Sequence, residues 1–441
     1  MKLFKAFNPK EKLAGLVTVP PDKSIAQRSI ILSGIAHGIS TINNFPLAVD
    51  PQSTLKVMQS LGVQVQNYTN QTDKLSLQVH GKGMSGLKEA EDILDCGNSG
   101  TCFRLMMGLL AGNPNKHFAV LTGDQSLRKR PMKRVSEALN QLGADIWGRN
   151  GSNYAPIALK GKRLNGGSIK TPIPSAQLKS SLLLAGLNCN DKLSIEEPEP
   201  SRNHSELMLK QFGAKIEQHN EIKTTIWASE LKACEINIPG DISSAAFILA
   251  AALIVPESKV TIQQVGLNST RSGILNVLKK MGADISVEIN KSSSYEPFGD
   301  ITVKHSPLRG IEISGSIIPN IIDELPILSL LASQASGQTI IKDAAELRIK
   351  ESDRLKTMAQ VLKSLGITVE ELPDGMVIDG CAGKPFNPID DTFDSYHDHR
   401  IAMTVGIASL FCTKDINLIG HEWADISFPG FFNLLKSLLC E

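Results

Sequence analysis

Several short segments gather cations and small polar side chains just ahead of apolar runs, a placement that solvation alone does not call for. In Pro20-Pro21-Asp22-Lys23-Ser24-Ile25-Ala26-Gln27-Arg28, Lys23 stands where a helix would begin and Arg28 about one turn further on, so both can face one anion. Backbone N–H groups at the helix start would assist. In Leu94-Asp95-Cys96-Gly97-Asn98-Ser99-Gly100-Thr101, two glycines let the backbone approach a ligand and Asn98 can donate a hydrogen bond, although the spacing is not that of a P-loop. Cys96 and Cys102 flank it at a spacing that matches no metal pair and read as buried thiols. Leu127-Arg128-Lys129-Arg130-Pro131 sets three cations before a proline suited to a first helical position, and Pro174-Ser175-Ala176-Gln177-Leu178-Lys179-Ser180 crowds hydroxyl, amide and ammonium groups at another helix start.

The densest group is Arg348-Ile349-Lys350-Glu351-Ser352-Asp353-Arg354. A carboxylate between Lys350 and Arg354 stays ionised unless buried, whereas a general acid needs its pKa raised. Asp398-His399-Arg400-Ile401 puts Arg400 at a helix N-terminus, where a cation opposes the dipole by about 0.3–1 kcal/mol unless an anion sits there. Taken singly, each segment also reads as a capped helix, a tight turn or a surface salt-bridge network. Their recurrence favours function. Like charges ~4 Å apart repel by about 4 kcal/mol at an effective dielectric of ~20, so convergent cations would be completed by a small polyanion.

The elements that must position these residues form an internal repeat. Amphipathic helices end at Leu61-Gly62, Leu142-Gly143, Phe212-Gly213, Met281-Gly282 and Leu365-Gly366, each followed at once by a short strand. In three of them the apolar positions fall at i, i+3, i+4 and i+7, as in Val135, Ala138, Leu139 and Leu142. The Phe431–Leu435 segment reads as a sixth copy. Between them run six helices apolar nearly all round: Ile25–Ala36, Cys102–Ala111, Leu182–Leu187, Ala245–Val255, Leu325–Ala332 and Ile401–Phe411. Capping residues introduce them, respectively Asp22, Asn98-Ser99, Ser175, Asp241, Asp323 and Asp398. Six such units divide into two groups of three, with Pro239-Gly240 as the hinge and an exposed turn at 291–295.

At 441 residues the chain exceeds one domain of ~150 residues, and 41% hydrophobic with 21% charged residues fits a folded globular protein rather than a disordered one. A net charge of +1 lacks the basic excess of a phosphate-backbone binder. Seven scattered cysteines fit reduced thiols in a cytoplasm, and neither an export signal nor a run of ~18 apolar residues is visible.

Ordered along the chain, Asp22-Lys23-Ser24 with Arg28, Gly97-Asn98-Ser99-Gly100-Thr101, Arg130-Pro131-Met132, Ser175-Ala176-Gln177-Leu178-Lys179-Ser180, Ser201-Arg202-Asn203-His204, Lys350-Glu351-Ser352-Asp353-Arg354 and Asp398-His399-Arg400-Ile401-Ala402-Met403 resemble the 5-enolpyruvylshikimate-3-phosphate synthase family, in its class II form. The resemblance runs end to end. It implies an α/β fold, a two-domain inverse α/β barrel with three repeated units per domain, whose helix N-termini face a cleft. Residues 21–239 would form one domain, and 1–20 with 240–441 the other. It further implies that Lys23, Asn98, Gly100, Arg130, Arg354 and Arg400 surround phosphoenolpyruvate. Ser24, Arg28, Ser175, Ala176, Gln177, Arg202, Asp323 and Lys350 would hold shikimate 3-phosphate. Glu351 and Lys23 would carry protons to and from the enolpyruvyl carbon, and Asp323 would accept the proton of the attacking hydroxyl, with no metal or organic cofactor. A cytoplasmic monomer binding neither nucleic acid nor membrane is expected.

Two departures stand out: Ala176 where some members have a second serine, and Ile426 where many have lysine. Gly100, lacking a methyl group, is expected to admit the inhibitor glyphosate. The UDP-N-acetylglucosamine enolpyruvyl transferases have Asn after the first lysine and a reactive loop cysteine; here Ser24 follows Lys23, and 127–131 has no cysteine. A repeat scaffold or RNA-end binder is disfavoured by 5% aromatics and balanced charge.

Overall fold

A computed structural model of the chain describes residues 11–69, 75–290 and 295–440. Its repeat is a strand, an apolar helix, a strand, an amphipathic helix and a hairpin. One copy comprises Leu94–Asp95, the helix Gly100–Ala111, Phe118–Thr122, the helix Lys133–Gln141, and the strands Asp145–Gly148 and Tyr154–Lys160. Phe118–Thr122 pairs parallel with Leu94–Asp95 and antiparallel with Tyr154–Lys160, which also pairs with Asp145–Gly148. A parallel pair needs a long crossover, and the apolar helix supplies it, covering the sheet as it returns. The same three pairings recur around Leu193–Glu196 and around Gln338–Ile341.

In two repeats the first strand comes from far along the chain. Ala36–Asn43 takes Glu235–Asn237 as a parallel partner, and Lys259–Gly266 takes Lys12–Thr18. The chain accordingly divides into compact units between Pro20 and Pro21 and again between Ile238 and Pro239, with residues through Pro20 joining the second unit and Glu296 joining the first. In the last repeat, two parallel strands, Thr392–Asp394 and Asn417–Ile419, stand in place of the fuller sheet. The expected turn at 291–295 lies, apart from Tyr295, outside the described residues.

Each unit has its own hydrophobic core. The apolar helices are Lys23–Gly34, Gly100–Ala111 and Ala176–Gly186 in the first unit, and Ile242–Ile254, Leu325–Gln334 and His399–Ser409 in the second. Asp22, Ser99, Ser175, Asp241 and Asp398 cap five of them through side-chain oxygens. Asp323 does not. Glu324 occupies that cap position without a capping bond, and Pro326 in the first turn removes a donor that a cap would satisfy. Pro131 likewise stands ahead of the cap residue Met132 rather than inside the helix, and Ala36 belongs to a strand, not to the first helix. Gly62, Gly143, Gly213, Gly282 and Gly366 all adopt φ between 83° and 97°, the left-handed turn that ends each amphipathic helix and that a side chain would strain.

Candidate functional site

Three helix N-termini are tied together in the first unit. Gln27 of the Lys23–Gly34 helix donates to Ser99 Oγ, the cap of the Gly100–Ala111 helix, at 2.5 Å. That helix reaches the third through Gln177, whose Nε2 donates to Thr101 Oγ1 at 3.0 Å and whose Oε1 accepts from Arg104 Nη1 at 2.5 Å. Arg28 closes the triangle, donating to Ser180 Oγ at 2.9 Å and to Ser205 Oγ at 2.7 Å. Three positive dipole ends and their unused N–H groups are thus gathered where an anion would be stabilised.

The electrostatics agree with that reading. Arg28 is buried, and its hydrogen-bond partners are two hydroxyls and the Ser24 carbonyl, with no carboxylate among them. Burial pushes its pKa down to about 10, with Asp22 and Glu206 pulling the other way and Arg202 adding to the repulsion. It remains a cation near neutrality. Arg130 Nη2 donates to Asn98 Oδ1 at 2.8 Å, while Asn98 Nδ2 donates to Asp124 at 2.6 Å, so the Asn98 amide is oriented from both sides. Lys23 is half-buried and pairs with Asp50 at 3.0 Å, so Lys23 and Arg28 reach different partners although both lie near one helix start.

In the second unit Arg354 is the centre. It is 1% exposed and meets Asp398 at 2.8 Å, Glu351 at 2.6 Å and Asp323 at 3.7 Å. Burial opposes its charge, but Asp398 and Glu351 more than offset this and raise its pKa above the ordinary value. Burial equally disfavours the Asp398 carboxylate, and Arg354 outweighs it, holding Asp398 below the usual range. Arg271 contacts Ser243 and bonds Glu324 at 3.0 Å; Glu324 also faces Arg400 at 3.9 Å. Lys350 faces Glu346 at 3.8 Å, and burial lowers its pKa although Asp323 and Glu346 favour the charged form.

This second cluster corrects an expectation. Its cations are not held apart awaiting an anion: each is matched by carboxylates, because a buried guanidinium without a counter-charge would be strongly destabilised. Glu351 bonds Arg354 at 2.6 Å and also favours the charged form of Lys350. Arg348, from the same segment, forms the surface network instead, with Asp353 and Glu371. Several supporting side chains escaped the sequence reading, among them Asp50, Arg104, Asp124, Arg271 and Glu324. Arg104, a cation inside a helix otherwise apolar throughout, was the detectable one. Gly100 opens its helix, and a Cβ there would lie 3.0 Å from Arg104 Nη1 and 3.5 Å from Arg130 Nη1. Ser24, Ala176 and Arg202 are partly exposed, as is Ile426 at the end of a 3-10 turn. Among the described residues, no group of three or more His, Cys, Asp or Glu is disposed to hold a metal ion, and no single helix is long and apolar enough to cross a membrane.

Residues 7–435 match the family model of EPSP synthase (3-phosphoshikimate 1-carboxyvinyltransferase). The 3-phosphoshikimate 1-carboxyvinyltransferase of Desulforamulus reducens is 44% identical over 434 residues, covering 98% of this chain and 99% of the relative. That of Synechococcus sp. strain RCC307 is 47% identical over 431 residues, 97% of each. Among solved structures, EPSP synthase from Acinetobacter baumannii superposes with a TM-score of 0.87 at 37% identity over 100% of both chains. The enolpyruvyl transferase NikO from Streptomyces tendae, 17% identical over 99% of this chain and 97% of its own, shares the fold with a TM-score of 0.76.

Proposed function

The chain belongs to the EPSP synthase family, and from that membership we propose that it transfers the enolpyruvyl group of phosphoenolpyruvate to the 5-hydroxyl of shikimate 3-phosphate, releasing phosphate, in the shikimate pathway to aromatic amino acids. The observation that carries the reading is the first unit's triangle of helix N-termini, with a buried arginine whose hydrogen-bond partners are all neutral. Arg28, with Ser24, Ser175, Ala176, Gln177 and Arg202, holds shikimate 3-phosphate, assisted by Asp323 and Lys350. At Ala176 the missing hydroxyl is replaced by backbone N–H groups, which have no intrahelical acceptor in the first turn.

Lys23, Asn98, Gly100, Arg130, Arg354 and Arg400 take phosphoenolpyruvate. Glu351 or Lys23 protonates its methylene carbon, which leaves the neighbouring carbon cationic. The 5-hydroxyl attacks that carbon while Asp323 accepts its proton. Glu351 or Lys23 then takes a proton from the methyl group of the resulting tetrahedral adduct, and the phosphate departs with the electron pair of its C–O bond as the double bond reforms. General acid and base need only reach these protons, and the fixed cations favour the anionic groups of donor and acceptor. When the substrate's anionic groups reach Arg354, they take the place that Glu351 and Asp323 fill in the structure, freeing both carboxylates for proton transfer. The reading has the enzyme acting in the cytoplasm as a monomer.

The test is product identity. Phosphorus NMR of the protein with both substrates should show inorganic phosphate and an enolpyruvyl ether of shikimate 3-phosphate appearing in equal amounts. Unchanged phosphoenolpyruvate would refute the proposal.

A further inference from the structure

A buried ionic knot behind the first unit's cluster takes no part in the chemistry above. Lys179, Glu197 and Glu206 are each 3% exposed or less. Lys179 Nζ lies 2.7 Å from Glu197 Oε2 and 2.8 Å from Glu206 Oε1. Three charges taken out of water are costly, and packed apolar residues would commonly stabilise a fold as well or better. The arrangement therefore asks for a reason beyond stability.

The reason lies in what Glu197 holds. Its Oε1 accepts from the Ser175 backbone N–H at 3.0 Å, and its Oε2 accepts from Ser201 Oγ at 2.9 Å. Lys179 Nζ donates in turn to the Ser201 carbonyl at 3.3 Å, so Ser201 is gripped at both its hydroxyl and its backbone. One carboxylate thus fixes the start of the Ala176–Gly186 helix against the turn that presents Arg202. Glu206 acts on both Lys179 and Arg28, and Asp22, Arg202 and Glu296 bear on Arg28 as well.

We propose that Glu197, neutralised by Lys179, is a positioning residue that sets the spacing between the Ser175–Gln177 turn and Arg202, and with it the affinity for the phosphorylated acceptor. The inference rests on the proposed function. Because the Ser175 N–H is spent on Glu197, that turn offers the acceptor only its hydroxyl and the next amides. Glu197→Gln keeps an oxygen for Ser175 but turns an NH2 group toward Lys179, donor against donor, and displaces Ser201.

The test combines kinetics, calorimetric binding of shikimate 3-phosphate and thermal unfolding for wild type, Glu197→Gln and Lys179→Met/Glu197→Gln. The single variant should raise KM and Kd for shikimate 3-phosphate about tenfold, the scale of one charge-assisted hydrogen bond, with kcat and the KM for phosphoenolpyruvate changed less than twofold. The double variant restores charge balance and should regain thermal stability while the acceptor KM stays high. That split separates positioning from plain structural support. Wild-type acceptor affinity in both variants would overturn the inference alone, as would equal losses for both substrates that recover with stability. Failure of the wild type to bind shikimate 3-phosphate would overturn the proposed function, and this inference with it.

Discussion

Asp398→Asn isolates a fully buried ion pair in the second unit. The carboxylate is fully buried, meets Arg354 Nε at 2.8 Å and Nη2 at 3.3 Å, accepts from Ser352 Oγ at 3.0 Å, and caps its helix through the Arg400 N–H at 2.9 Å. Asparagine has the same shape and is itself a good cap, so the helix start survives and only the charge is lost. Its NH2 group then faces a guanidinium that can only donate. Breaking a buried pair from one side costs about 3–5 kcal/mol. Arg354 keeps Glu351 at 2.6 Å and Asp323 at 3.7 Å, which argues for the lower end, about 3 kcal/mol. For units of about 200 residues this lowers the midpoint of thermal unfolding by roughly 6–12 °C. Calorimetry reads it directly, and steady-state kinetics should show a KM for phosphoenolpyruvate raised about tenfold as Arg354 shifts. A midpoint within about 2 °C of wild type, with KM unchanged, would refute the reasoning.

Two further outcomes follow from the geometry. In Gly100→Ala the new methyl lies 3.0 Å from Arg104 Nη1, so the guanidinium must give by a few tenths of an ångström while helix propensity rises. The variant should fold, lose about tenfold in phosphoenolpyruvate KM, and lose more than that in glyphosate inhibition; unchanged inhibition would contradict the placement of Gly100. The pH dependence has two signs. Asp398 has a lowered folded pKa, so its stabilisation is present above the ordinary aspartate value of ~4 and disappears as pH falls through the lowered one; the gap between wild type and Asp398→Asn should close only in strong acid. For Lys179, burial disfavours the charge but Glu206 and Glu197 raise the pKa, so the stabilisation is full below ~10.4 and is lost as pH rises through the raised value. Urea unfolding of Lys179→Met and wild type across pH should therefore converge only in strong alkali.

Much of the fold could be read from the residues because the repeat carries its own punctuation. Glycine at each helix end and an apolar stripe before it are local signals, and they locate five helices whose boundaries then follow. Strand exchange is not local: nothing in Lys12–Thr18 announces that it pairs with Lys259–Gly266 rather than with the strand nearest in sequence. The candidate site divides in the same way. Cations at the apolar helix starts, such as Arg28 and Arg400, were conspicuous because their burial had to be explained. The carboxylates of the site were not, since Asp50, Asp124 and Glu324 look like ordinary surface acids until the fold brings them to Lys23, Asn98 and Arg271. Glu351 shows the limit well: nothing local announces that it meets Arg354 at 2.6 Å from outside the helix that Arg354 opens.

A chain with a net charge of only +1 concentrates cations for two phosphorylated substrates, one of them shikimate 3-phosphate. The most direct measurement is phosphate release from phosphoenolpyruvate in parallel reactions with shikimate 3-phosphate and with UDP-N-acetylglucosamine. Release with shikimate 3-phosphate alone is the predicted result; release with UDP-N-acetylglucosamine alone, or with neither, would contradict it.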